Sequence, residues 1–132
     1  MTPQGTDDWA FYAVLALLFA HELDAVERHE WRLLPGLRSL PDGLAGRLFV
    51  LLHVPLFLGV FRLATHPSPR VHRPFRRALC AFAVVHAVVH RRSRGHPEYE
   101  FEGPTSRVLI HGAALAGLVH LLRSGRPGGT AR

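Results

Sequence analysis

The sequence predicts an all-α fold, an antiparallel four-helix bundle whose helices cross a membrane. Three observations predict it. First, four stretches, residues 9–21, 48–61, 78–90 and 108–122, contain no Asp, Glu or Arg. Second, these stretches lack the polar stripe that a soluble amphipathic helix keeps on its outer face, and histidines are their main polar interruptions. Third, arginines bracket them: Arg47 and Arg62, Arg77 and Arg91, Arg107 and Arg123. Each stretch is shorter than the about 20 residues of a usual span. Arginines at the ends extend the usable length, because their stems lie along apolar surface while the guanidinium reaches the headgroups.

Taken in order, the helices are expected over residues 8–30, 45–64, 75–92 and 106–123, as one domain over 1–132. The first begins with Trp9 and Tyr12, placed as interfacial aromatics, as are Trp31 and Tyr99. Its polar tail, "AHELDAVERHEW", pairs Asp24 with Arg28 one turn on, and Glu27, Glu30 and Arg32 read as a solvated helix end. "LPGLRSLPDG" then breaks the chain before the second helix, and "THPSPRVHRP" breaks it before the third. "RRSRGHPEYEFEGP" precedes the fourth. Within it, Pro97 and Tyr99 among three acids suggest an ordered segment folded over the bundle end. In the last helix, Gly112/Ala116 and Ala113/Gly117 have the small-residue spacing that lets membrane helices approach closely.

The chain has 132 residues and a net charge of +6, and all of its basic residues are arginine. They do not line one helix face, which argues against a nucleic-acid partner and for membrane lipid. A single cysteine, Cys80, excludes an internal disulfide and reads as a buried thiol. No basic residue precedes the first apolar run, so a cleaved leader is not expected. With four spans, eight arginines fall on each side, and the positive-inside rule gives no orientation.

The histidines carry the functional reading. Helices joined by short loops run antiparallel, so residues equidistant from a loop centre share a depth. The midpoints of His21–His53, His53–His86 and His86–His111 fall inside the three loops. One histidine from each helix is therefore expected at a common layer. His90, four residues after His86, shares its face, and Glu22 and Asp24 adjoin His21. Polar groups inside a bilayer usually face the bundle interior. The expected ligand set is His21, Glu22, Asp24, His53, His86, His90 and His111, with Glu22 also a candidate general base. Imidazole with carboxylate suits a divalent metal, Zn or Fe, in a mononuclear or dinuclear centre. His66 and His72, beside prolines in a basic loop, read as surface residues, and His120 as packing.

"HELDAVERHEW", "LLHVPLF", "VVHAVVH" and "HPEYEF" resemble a family of small bacterial four-span membrane proteins without assigned function. The resemblance covers residues 9–122 and implies a multi-pass protein of the bacterial inner membrane. More loosely, the chain is similar to HXXEE-type membrane proteins, which implies a metalloenzyme, with Asp24 and Ala25 where that motif has its acids. The resulting expectation is a membrane-embedded metalloprotein, a metal-dependent hydrolase or oxidase acting on an apolar or lipid substrate. A bis-histidine haem protein is one alternative. A non-enzymatic transporter or sensor subunit, whose histidines titrate, is another.

Overall fold

The computed structural model describes residues 8–125 and is all-helical, with no strand among them. Four long helices follow one another: α1 (Asp8–Glu27), α2 (Asp42–Ala64), α3 (Pro69–Ser93) and α4 (Pro104–Ser124). Two short 3-10 turns, Glu30–Arg32 and Leu37–Ser39, lie in the first connection.

The helix ends differ from the sequence expectation for local reasons. α1 stops at Glu27, because His29 takes a left-handed backbone conformation at φ 53° and redirects the chain into the Glu30–Arg32 turn. α3 starts at Pro69 rather than residue 75: proline suits the first helical position, where its missing N–H costs no helical bond. Pro74 then falls early in the helix. Pro104 opens α4 in the same way. α2 contains Pro55 near its middle, which removes one backbone donor there.

α1, α2 and α4 are long and apolar enough to cross a membrane. α3 is not, because Arg70, Arg73, Arg76 and Arg77 occupy its first part. α2 is the least buried of the three apolar helices and exposes Val50, Leu51, Leu52, Val54, Leu56 and Leu58.

The core has two parts. Toward the start of α1, Phe11, Val14, Leu15 and Leu18 pack with Ala64, Cys80, Ala83, Ala113 and Ala116. Toward its end, Ala25 joins Trp31, Ala45, Phe49, Ala87, Phe101 and Ile110. Small residues set the helix spacing in the first part. A Cβ on Gly117 would sit 2.7 Å from the Cys80 carbonyl oxygen, so α4 approaches the α3 backbone more closely than any other residue would permit.

Pair contacts fix the relative sense of the helices. Phe11, early in α1, meets His120 late in α4, while Asp24, late in α1, bonds Ser106 early in α4. Phe19 packs its ring at a steep tilt against Phe57 and Phe61 of α2, and Glu22 reaches back to His53. Arg76 of α3 lies over Phe11, whereas His86 meets His21.

Candidate metal centre

Three imidazoles and one carboxylate converge where α1, α3 and the Glu30–Arg32 turn meet. His21 supplies one ring from α1, and His86 and His90 supply two from successive turns of α3. Their candidate ligand atoms, with those of Glu30, all lie within 4.8 Å of one another. His21 Nε2 and His86 Nε2 are 2.9 Å apart. Glu30 places Oε1 3.4 Å from His90 Nε2 and Oε2 3.8 Å from His21 Nε2. His21, Glu30 and His90 are buried and His86 is half-buried.

The packing around the cluster holds these rings edge to face. The His21–His86, His21–His90 and His86–His90 centroids are 4.9, 5.0 and 4.5 Å apart. Phe101 closes one side: its ring, 1% exposed, lies 5.5 Å from the His21 ring and 4.8 Å from the His90 ring. Tyr99 places its hydroxyl 3.4 Å from His90 Nδ1, on the far side of the ring from Glu30. An outer hydrogen bond of that kind orients a metal-binding histidine. His21 Nδ1 is buried without a hydrogen-bond partner among the described residues.

Electrostatics favour an ionised Glu30. Burial pushes its carboxyl up, but the hydrogen bond to His90 and the electrostatic interaction with the surrounding imidazoles outweigh burial and hold it below the ordinary carboxylate range.

Two neutral imidazoles facing each other through Nε2 can share only one proton on that axis. A cation lying off that axis, within bonding reach of both rings, satisfies both lone pairs. A tetrahedral ion with bonds of about 2.0–2.1 Å spaces its ligand atoms about 3.3 Å apart. The 2.9 Å between His21 and His86 and the 3.4 Å between His90 and Glu30 lie near that spacing, and all four candidate ligand atoms lie within 4.8 Å of one another. Donors of this softness suit Zn, Fe or Mn.

Of the residues expected from sequence, His21, His86 and His90 come together here. Glu22 and His53 do not join them; they form their own pair, His53 Nε2 to Glu22 Oε2 at 2.7 Å, while His53 Nδ1 donates to the Phe49 carbonyl at 2.6 Å. Asp24 is engaged elsewhere, accepting from Ser106 Oγ at 2.6 Å and from Arg28 Nε at 3.4 Å. His111 is exposed on α4. Ile110, Ala113, Ala116, Gly117 and His120 form the buried face of that helix, and His111 lies one residue out of phase with it. The depth argument fixes a residue's height along a helix and says nothing of its direction around the axis.

Glu30 was expected in a solvated helix end and is instead a member of the cluster. The left-handed turn at His29 swings it back over the bundle, where Trp31 packs on Phe49 and donates from Nε1 to Asp42 at 2.9 Å. Trp31 is therefore buried and not an interfacial aromatic. The acidic third connection is ordered: Glu100 faces His29 at 3.4 Å, and Arg32 lies 3.6 Å from Glu98 and 3.7 Å from Glu100. A separate cleft of about 620 Å³ opens between the Glu30–Arg32 turn and α2, lined by Val26, Trp31, Arg47 and Val50 among others and by none of the four cluster residues.

Residues 7–126 match a family described as of unknown function, DUF6713. No curated protein matches the chain, and no solved structure does.

Proposed function

The chain belongs to the DUF6713 family, and from its own geometry we propose that it is a membrane-embedded metalloprotein whose His21, Glu30, His86 and His90 hold one divalent metal ion. The observation that carries this reading is the convergence of three imidazole nitrogens and one buried carboxylate within 4.8 Å. Buried polar side chains are costly in an apolar bundle unless something gathers them. A metal ion accounts for all four at once. It fits better than a haem, because the donors surround one point and include a carboxylate, whereas a bis-histidine haem uses two opposed rings.

In this reading the four helices form an antiparallel bundle in the bacterial inner membrane. The alternating contacts of α1 with α2 and α4 support that arrangement. α3 crosses as well despite its arginines. From Arg77 to Arg91 it rises about 21 Å, less than the about 30 Å hydrocarbon core, and the long side chains at both ends make up the difference.

A bound ion would supply Lewis acidity, or redox chemistry if it is iron. The protein holds the ligands and excludes water from them through Phe101. The half-buried edge at His86 is flanked on α3 by the exposed apolar Phe82, Val85 and Val89. That opening suits an apolar or lipid substrate of a metal-dependent hydrolase or oxidase. The neighbouring Glu22–His53 pair, joined at 2.7 Å, would serve as the general base. Elemental analysis of detergent-purified protein tests the reading: about one Zn or Fe per chain is expected, and metal-free protein that gains none on titration would refute it.

A further inference from the structure

We infer that Arg70, Arg73 and Arg77 of α3 form a binding face for anionic phospholipid headgroups. This rests on the membrane reading above but not on the metal. The three side chains are all exposed, and their spacing places them on one helix face. The same face continues as Ala81, Val85 and Val88, which are exposed and apolar. A cationic band therefore passes directly into a lipid-facing stripe, at the depth where headgroup phosphates meet acyl chains.

Charge around the band is one-sided. Arg62 ends α2 and Arg123 ends α4 at this end of the molecule, with the Arg123 guanidinium 5.3 Å from the Trp9 ring. Arg76 is turned inward, donating from Nε to the Ala64 carbonyl at 2.9 Å and lying over Phe11 and Tyr12. Asp8 begins α1 here. The other described acids lie toward the opposite end, around Arg28, Arg32 and the histidine cluster. Among the described residues, none of Arg62, Arg70, Arg73 and Arg77 forms an ion pair with a carboxylate. At the other end, Arg32 and Arg28 already have carboxylates. Arginine counts give no orientation; what distinguishes this end is that three exposed arginines share one helix face with an apolar stripe and that, Asp8 apart, the described acids lie at the other end. The end bearing this face would sit in the leaflet rich in anionic lipid, the cytoplasmic one. The metal centre would then lie toward the other side.

Native mass spectrometry of protein extracted from vesicles of equal phosphatidylglycerol and phosphatidylcholine tests the assignment. Wild type should retain phosphatidylglycerol selectively. The R70Q/R73Q/R77Q variant should retain on the order of a hundredfold less, and R38Q/R91Q/R92Q, which removes the same charge elsewhere, should match wild type. Equal retention in all three proteins, or equal retention of both lipids, would overturn the inference while leaving the membrane reading intact. Displacement by millimolar glycerol phosphate would reassign the face to free phosphate and overturn it too. Release of the protein by an alkaline carbonate wash would overturn the membrane reading itself.

Discussion

The two ends of the helices are built on different principles. Where α1 starts and α4 ends, the interior is close-packed apolar surface: Phe11, Val14 and Leu18 against Cys80, Ala83, Ala113 and Ala116, with arginines outside. Where α1 ends and α4 starts, an apolar core around Ala25, Phe49, Phe101 and Ile110 encloses buried polar groups: three imidazoles, Glu30, and Asp24 bonded to Ser106. The first end is held by helix proximity, made possible by Gly117. The second is held by specific donors and acceptors, sealed by Phe101 and Trp31. One end is a packing solution; the other carries buried polar groups that packing alone does not require. That contrast is the strongest physical reason to place function at the second end.

The contrast can be broken at either end. The largest effect is expected from the double change His86→Ala/His90→Ala, which removes two of four donors: bound metal should fall from about one per chain to less than about a tenth, measured by elemental analysis. His111→Ala, on the exposed face of α4, should leave metal content unchanged, and a loss there would show that the centre is wider than the four residues. Next is Phe101→Ala. Removing this buried ring should destabilise the protein by about 3–5 kcal/mol and lower its thermal midpoint.

At the packing end, Gly117→Ala forces a methyl against the Cys80 carbonyl and should cost about 1–3 kcal/mol. Metal stoichiometry of the folded fraction should not change; if it did, the two ends would not be independent. Smallest is Ser106→Ala, which leaves Asp24 without a 2.6 Å donor and should cost about 1 kcal/mol, read from thermal unfolding in detergent.

Much of this was legible in the chain. Charge-free runs bounded by arginines, with Pro and Gly between them, specify four helices, but not their ends: Pro69 starts α3 rather than breaking it, and Pro55 and Pro74 lie inside helices. The pairing of Asp24 with Arg28, the packing role of His120 and the folding-over of the 96–102 segment were equally legible. The common depth of His21 and His86 followed from loop lengths. Rotation did not. His53 shares that depth yet turns to Glu22, and His111 turns outward, since an offset of one residue swings a side chain by about 100°.

By itself, then, the sequence determined that four segments are helical and at what height His21 and His86 lie, because those properties depend on composition and on distance along the chain; it overcounted the helices apolar enough to cross a membrane, since α3 extends back through Arg70, Arg73, Arg76 and Arg77. Only the tertiary structure decided which rings face one another and that Glu30 joins them. Those outcomes depend on helix azimuth and on one left-handed residue, His29, and are set by how α1, α3 and the first connection pack together.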